Sequence, residues 1–133
     1  MERTYVMIKP DAYERKLMGE LLTRIEKKDY AIVDMKMMRL DEEILKVHYA
    51  HLVEKPFFGD IVEYLMSTPV VAMIVEGYDV VDGMRKMCGP TASYEALPGT
   101  IRGDYSTSKQ RNLIHASDSV ENAEIEIKRF FGS

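Results

Sequence analysis

The stretch Pro69-Val70-Val71-Ala72-Met73-Ile74-Val75 is the longest apolar run in the chain and indicates how the fold is built. From Val70 to Val75 every side chain is apolar, and no polar residue alternates with them. Such a pattern is typical of a strand that is covered on both faces. The run is much shorter than the ~20 residues that a membrane-spanning helix needs. It therefore predicts a buried strand in a protein core.

Shorter patterns before and after this run predict the other strands. Val33, Met35 and Met37 are separated by charged side chains, which predicts a half-buried strand with these three residues on its buried side. The other two stretches are short, apolar and rich in strand-forming residues. The predicted strands are Thr4–Ile8, Ile32–Leu40, Val70–Val75 and Asn112–Ala116.

Periodic apolar side chains predict helices between these strands. In residues 79–87, for example, Val80 and Met84 fall on one helical face. Asp41 and Ser119 are of the residue types that cap helix N-termini. The predicted helices cover 19–28, 41–52, 57–66, 79–87 and the segment that follows Ser119. This order of elements predicts a single α+β domain over residues 1–133, with helices packed on a small sheet.

Residues 89–111 show no sustained periodicity and are predicted to form a long loop. They contain Gly89, Pro90, Pro98, Gly99 and Gly103, together with many serines and threonines. Structureless loops of this length are uncommon in compact domains and are often functional. The loop therefore marks the region in which a site is expected.

The composition narrows the class of protein. Of 133 residues, 46% are hydrophobic and 30% are charged, as in a soluble globular protein. The formal net charge of −4 makes general nucleic-acid binding unexpected, because that binding depends on clustered basic residues. The single cysteine, Cys88, excludes a disulfide within the chain. With no apolar leader at the N-terminus, we expect a cytoplasmic protein without a membrane segment.

His115 is the most informative candidate for chemistry. It ends an apolar strand and precedes a capped helix, so it can be half buried and held in one direction. A neutral imidazole nitrogen is a nucleophile when a partner fixes the other nitrogen. Taken alone, however, such a histidine more often only satisfies a hydrogen bond. His48 and His51 have a spacing that can bind metal, but no third ligand is evident nearby, so a metal site is not expected there.

Any phosphate must be bound by side chains. The sequence contains neither a G-x-x-x-x-G-K-[ST] nor a G-x-G-x-x-G loop. Lys9, Arg85 and Arg102 follow or interrupt apolar stretches, where a charge can point into a pocket. Arginine suits phosphate because its planar fork donates hydrogen bonds in pairs. Each of these residues, considered singly, is better explained as a solvated surface charge.

Six stretches taken together and in order resemble the nucleoside diphosphate kinase family, and the resemblance covers essentially the whole chain. The last two are highly specific at this separation. The stretches are Glu2-Arg3-Thr4-Tyr5 leading to Ile8-Lys9-Pro10-Asp11, His48-Tyr49, Lys55-Pro56-Phe57-Phe58, Pro69-Val70-Val71-Ala72-Met73, Pro98-Gly99-Thr100-Ile101-Arg102-Gly103-Asp104 and Asn112-Leu113-Ile114-His115-Ala116-Ser117-Asp118-Ser119.

The resemblance implies a fold, an activity and a set of residue roles. The fold is ferredoxin-like, with a small antiparallel four-stranded sheet covered by helices and a long loop before the last strand. The activity is reversible, Mg²⁺-dependent transfer of the γ-phosphate from nucleoside triphosphates such as ATP to nucleoside diphosphates, by a ping-pong mechanism with broad base and sugar tolerance. His115 corresponds to the histidine that is phosphorylated, Glu126 orients it and Ser117 supports Glu126.

The remaining implied roles concern the nucleotide. Magnesium is expected on the phosphates, with few or no protein ligands. The residues that correspond to phosphate contacts are Lys9, Tyr49, Arg85, Thr91 and Arg102. Asn112 and Lys9 correspond to contacts with the sugar hydroxyl, Phe57 to the ring that stacks on the base and Ile61 to its neighbour in the cleft. The family also implies a homo-oligomer, for which we favour a hexamer and then a tetramer.

Some positions depart from the family pattern. Ala12 replaces the usual glycine and would be strained if that position needs a positive φ. Residues 90–93 and 106–110 are atypical, and Lys109 replaces a small apolar residue near the base, so base preference is open. Two alternatives to the enzyme remain: a nucleotide-binding regulator without turnover, and an oligomeric scaffold that binds nucleic acid. The acidic balance argues against the scaffold, and the retained candidate residues argue against the regulator.

Overall fold

A computed structural model describes residues 1–132 of the chain. Its four strands form one sheet in the order β2-β3-β1-β4, and every neighbouring pair is antiparallel. This order is ferredoxin-like, so the predicted α+β fold is confirmed. The strands are β1 (Glu2–Ile8), β2 (Ala31–Met38), β3 (Val70–Gly77) and β4 (Ile114–Ala116).

Seven α-helices and two short 3₁₀ helices, Ala50–Leu52 and Ser93–Glu95, connect the strands in the described part of the chain. Over residues 1–132, no helix combines the length and apolar character that crossing a membrane requires. The α-helices are α1 (Pro10–Glu14), α2 (Met18–Lys27), α3 (Glu42–His48), α4 (Phe58–Met66), α5 (Val80–Cys88), α6 (Ile101–Tyr105) and α7 (Val120–Phe131).

The sheet is covered on both faces, as the run Val70–Val75 predicts. Because side chains alternate along a strand, β1 contributes to two apolar clusters. Val6 and Ile8 pack with residues of α2 and α5 on one face. Tyr5 and Met7 pack with residues of α3, α4 and α7 on the other face. The inner strands β1 and β3 are therefore fixed from both sides.

The prediction that Val33, Met35 and Met37 are buried is wrong for the single chain. Their exposed fractions are 45%, 50% and 53%. Their strand, β2, lies at the edge of the sheet. Within it, Ile32 packs against one core cluster and Met38 against the other. The alternating pattern identifies an amphipathic strand but does not say what covers its apolar side.

The long loop and its surroundings contain more helix than the sequence predicts. Helix α6 and the 3₁₀ turn at Ser93–Glu95 interrupt residues 89–111. The hydroxyl of Thr100 caps α6 by accepting a hydrogen bond from the Gly103 N–H at 2.9 Å. One or two helical turns are too short to show a 3.6-residue period, which explains why they were not predicted. The helix predicted over 41–52 likewise divides, with α3 ending at His48.

Helix α1 was also not predicted. Pro10 was expected to stop β1, and it does, but it also occupies the first turn of α1. Proline suits that position because it has no N–H to leave unsatisfied there. Ala12 lies in the middle of this helix and is fully buried. Its backbone is helical, so alanine is unstrained at this position.

Candidate active site

His115 lies at the centre of the three-residue edge strand β4, opposite Met7 of β1. Its neighbours Ile114 and Ala116 are buried in the cluster of α2 and α5. Strand alternation turns His115 to the opposite face, where its side chain remains 21% exposed. The imidazole is thus held by a fixed backbone and is still accessible.

A strained turn immediately precedes this strand. Leu113 has a φ of 77°, and the Ile114 N–H donates to the Asn112 carbonyl at 2.9 Å. These features define a γ-turn with a positive φ, which is rare and costly for a residue with a side chain. The Leu113 side chain is fully buried, and its carbonyl accepts from the Lys9 N–H at 2.9 Å. Packing and hydrogen bonding therefore hold the turn, which sets the direction of β4.

Glu126 and Ser117 orient the His115 ring. The Nε2 atom of His115 lies 2.8 Å from Oε1 of Glu126, on α7. The Ser117 hydroxyl donates to the same carboxylate oxygen at 2.6 Å. A carboxylate can only accept, so His115 carries its proton on Nε2 and keeps a lone pair on Nδ1. This arrangement provides a directed nucleophile.

The carboxylate of Glu126 is kept ionised. Its partial burial raises the pKa, but this is outweighed by the hydrogen bonds that His115 and Ser117 make to the carboxylate. The net effect holds the pKa of Glu126 below its usual range. An ionised carboxylate at this place stabilises the positive charge that the ring acquires when Nδ1 forms a new bond.

Lys9, Asn112 and Arg102 meet beside the γ-turn. The Lys9 ammonium donates to Oδ1 of Asn112 at 2.9 Å. Burial, followed by the charge of Arg102, lowers the pKa of Lys9 to about 8, and Asp11 opposes this shift. Arg102 is only 6% exposed, and its guanidinium donates to backbone carbonyls. Those carbonyls belong to Asn112 (3.3 Å), Gly89 (2.7 Å) and Ile114 (2.5 Å).

Two adjoining cavities bring most of the predicted residues together. The larger has a volume of about 480 Å³ and the smaller about 350 Å³. Tyr49 lines both, so the two adjoin at this ring. Arg102 and Ser117 do not line either of these two cavities. The larger cavity is lined by Lys9, Tyr49, Phe57, Ile61, Thr91 and Asn112, and the smaller by Tyr49, Arg85, His115 and Glu126.

The two cavities differ in character. Phe57 is 45% exposed and offers an open aromatic face at the larger cavity. Burial raises the pKa of Tyr49 to about 12, so its phenol is a proton donor at neutral pH. Arg85 is exposed at the smaller cavity, next to His115. A flat apolar group fits the first cavity and an anion fits the second.

Several residues of the site were not predicted from the sequence. Gln110 lines the larger cavity beside Lys109, the residue that the family pattern already places near the base. His48 and Arg129 line the smaller one, and the Arg129 guanidinium donates to Nδ1 of His48 at 2.8 Å. His48 stands next to Tyr49, which could have drawn attention to it. No pattern in the sequence points to Arg129.

One cluster within residues 1–132 has the composition of a metal site. The potential ligand atoms of His48, His115 and Glu126 lie within 4.8 Å of one another. They are already engaged, because His48 accepts from Arg129 and His115 pairs with Glu126. A guanidinium bonded to a ligand atom also opposes a cation by charge. His51, which the sequence paired with His48 as a possible metal ligand, is not part of this cluster, and the donors of the three residues serve other bonds.

Fold and site together define the class: an enzyme of phosphate or other anion chemistry that acts through a carboxylate-oriented histidine. The model of the nucleoside diphosphate kinase family matches residues 2–133. The chain therefore belongs to the nucleoside diphosphate kinase family, whose members are phosphotransferases.

Similar proteins agree with this assignment. The nucleoside diphosphate kinase of Acetivibrio thermocellus is 53% identical over 131 residues, which cover 98% of this chain and 96% of that protein. The Exiguobacterium sibiricum protein of the same name is 54% identical, with coverage of 98% and 95%. The fold matches the solved Encephalitozoon cuniculi nucleoside diphosphate kinase with a TM-score of 0.96, 47% identity and coverage of 100% and 90%. It also matches the Halobacterium salinarum enzyme in complex with CDP with a TM-score of 0.95, 46% identity and coverage of 99% and 88%.

Proposed function

We propose that this protein transfers the γ-phosphate of a nucleoside triphosphate to a nucleoside diphosphate through a phosphorylated His115. The observation that carries the proposal is the pairing of His115 Nε2 with Glu126, which leaves Nδ1 as the nucleophile at a cavity. The Nδ1 lone pair bonds to the γ-phosphorus, and the bond from phosphorus to the β-phosphate oxygen breaks. The diphosphate leaves with those electrons, and a second diphosphate reverses the step.

The proposed nucleotide spans both cavities. The base stacks on Phe57 beside Ile61, and Asn112 and Lys9 bind the sugar hydroxyl. Lys9, Tyr49, Arg85, Thr91 and Arg102 bind the phosphates. Arg102 still has N–H groups to donate, because a guanidinium has more donors than the three carbonyls use. The CDP complex of the Halobacterium salinarum relative supports a nucleotide as the ligand. Stacking tolerates any base, so broad base and sugar acceptance is expected.

The donors around the cavities fit a magnesium–nucleotide complex. The residues that line the larger cavity include no carboxylate. Of the two carboxylates in the smaller cavity, Glu126 is held by His115 and Ser117. The other, Asp118, accepts a hydrogen bond from Asn122. Magnesium prefers carboxylate, phosphate and water oxygens, so the phosphates themselves are its main ligands here. When bound, the ion neutralises phosphate charge, and the chain's cationic groups bind the remaining charge.

We also propose that residues 1–133 act as one domain and that copies of the chain assemble, as a hexamer first and a tetramer second. The exposed residues Val33, Met35 and Met37 support assembly, because they leave an apolar side on an unpaired edge strand. A second copy covers such an edge by the same chemistry that builds the sheet. The buried thiol of Cys88 suits a reducing compartment and supports a cytoplasmic location.

A labelling experiment tests the function. The protein is incubated with γ-labelled ATP and magnesium, denatured and analysed for bound phosphate. We expect an acid-labile, base-stable label that CDP or GDP discharges. His115→Asn should bind nucleotide but take up no label, with a fall in turnover of at least roughly a thousandfold.

The outcomes separate the alternatives. A label that survives in His115→Asn would place the nucleophile elsewhere. Nucleotide binding by the unchanged protein without any label would replace the enzyme by a nucleotide-binding regulator. Retention of nucleic acid through a salt gradient would favour a scaffold.

A further inference from the structure

The proposed function gives no role to His48, a buried residue whose ring contacts His115. The side chain of His48 is 2% exposed, and its ring lies edge-on to His115 with centroids 4.9 Å apart. Tyr49 and Phe130 pack against the same ring at 4.7 Å and 5.2 Å. His48 therefore forms a wall of the nucleophile's surroundings.

Arg129 fixes the hydrogen-bonding state of His48. It follows Glu126 by one helical turn on α7, and its Nη1 donates to Nδ1 of His48 at 2.8 Å. A guanidinium has no acceptor, so Nδ1 must carry a lone pair. His48 is consequently neutral, with its proton on Nε2. The contact thus selects one of the two neutral tautomers.

The other tautomer would disturb Glu126. Nδ1 of His48 lies 4.0 Å from Oε2 of Glu126, the carboxylate oxygen that His115 and Ser117 do not use. A proton on Nδ1, after a small shift, would donate to Oε2, draw negative charge away from Oε1 and so weaken the hydrogen bond of Glu126 with His115. While Nδ1 accepts from Arg129, this bond cannot form.

We propose, on the basis of the proposed function, that Arg129 is a positioning residue for phosphoryl transfer: by occupying Nδ1 of His48, it keeps Glu126 committed to His115. Arg129 lines the smaller cavity, and its guanidinium donates to His48. The proposed effect therefore reaches His115 through His48 and Glu126 and belongs to the chemical step.

The charges around His48 agree with a neutral ring. The groups that face it are Tyr5 and Lys9 from β1 and its end, Tyr49 after α3, His115 from β4, and Glu126 and Arg129 from α7. Burial, followed by the charge of His115, lowers the pKa of His48 to about 3. Glu126 opposes the shift, and Arg129 and Lys9 add to it.

The test compares three variants. Arg129→Met removes the donor and keeps an extended apolar stem, Arg129→Lys keeps a donor, and Lys128→Met removes one positive charge from the exposed neighbouring residue. Single-turnover labelling of His115 by γ-labelled ATP gives the phosphorylation rate and its dependence on nucleotide concentration. Nitrogen-15 NMR of the histidine rings reports the tautomer of His48.

We expect Arg129→Met to lower the maximal phosphorylation rate, extrapolated to saturating nucleotide, by roughly threefold to tenfold, which is the size of one competing hydrogen bond. Its His48 signals should change from the Nε2–H form to a mixture of tautomers. Arg129→Lys should restore most of the rate, and Lys128→Met should match the unchanged protein.

Two results would overturn the proposal: an Arg129→Met variant with an unchanged rate, or one in which His48 keeps its tautomer while the rate falls. Failure of the proposed function gives a different result. In that case the unchanged protein takes up no label, whereas the NMR comparison still reports whether Arg129 selects the His48 tautomer.

Discussion

The two edge strands of the sheet, β2 and β4, are built in opposite ways. β2 has eight residues and exposes an apolar side. β4 has three residues, and its outer two side chains are buried while the central His115 reaches a cavity. An unpaired strand edge invites pairing with another chain. The short, enclosed edge is suited to chemistry and the long, open edge to contact with another copy.

Among substitutions that keep the nucleophile, the largest effect is expected from Glu126→Gln on α7, beside the β4 edge. The amide keeps the shape of the side chain but removes the charge that stabilises the phosphorylated ring. We expect the rate of His115 phosphorylation to fall by roughly tenfold to a hundredfold, the size of one hydrogen bond to a charged group, with little change in nucleotide affinity. Rapid-quench labelling and equilibrium binding measure the two quantities. An equal loss of phosphorylation rate and nucleotide affinity would contradict the proposal that Glu126 acts only on the His115 ring.

The next effect concerns acid stability near the same edge. The pKa of His48 is about 3 in the folded chain, against 6.5 for a free ring, so below pH 6.5 the unfolded chain takes up a proton that the folded chain refuses. Above pH 6.5 the His48 ring is unprotonated in both the folded and the unfolded chain. The His48 ring should therefore lower the free energy of unfolding as the pH falls from 6.5 towards 3, by up to about 1.4 kcal/mol per pH unit.

Urea unfolding at pH 7, 6 and 5 measures this dependence. His48→Asn should make the free energy of unfolding less sensitive to acid than it is in the unchanged protein. His51→Asn removes a ring from an exposed position and is the matched control. An equal change in both variants would contradict the assignment to the buried ring.

The smallest effect on catalysis is expected at the β2 edge. Glutamate at both Met35 and Met37 places charge on the proposed contact between copies. We expect smaller assemblies by light scattering, with phosphorylation per chain within about twofold of the original, because the β2 edge lies outside the catalytic cavities. Tyr78→Glu alters another exposed hydrophobic residue and should not change the assembly size. An unchanged assembly size in the β2 variant would contradict the proposal that this surface lies between copies of the chain.

The strands and helix caps show which parts of the fold the sequence could predict. The uninterrupted run Val70–Val75 could be assigned to a buried strand because burial on both faces leaves a direct signature. Asp41 and Ser119 were correctly predicted as helix caps, with side chains that accept from Ile44 N–H at 2.9 Å and Asn122 N–H at 3.0 Å. The exposure of Met35 could not be predicted, because periodicity identifies an apolar face without identifying its cover.

The candidate site was found through the family resemblance and not through residue patterns. His115 and Glu126 are separated by eleven positions and meet only because β4 and α7 lie together. Arg129 could not be predicted, because an arginine on a helix is indistinguishable from a solvated charge until its partner is known. The Leu113 turn is likewise invisible, since leucine carries no signal for a positive φ.

The γ-turn at Leu113 has a consequence for the order of folding. Its Leu113 carbonyl accepts from the Lys9 N–H, and the Lys9 side chain bonds Asn112 across a sequence separation of 103 residues. Contacts between such distant segments form late, after the entropy of closing the intervening chain has been overcome. Catalytic competence should therefore be absent from partly folded intermediates and should emerge only when the first and last strands have docked.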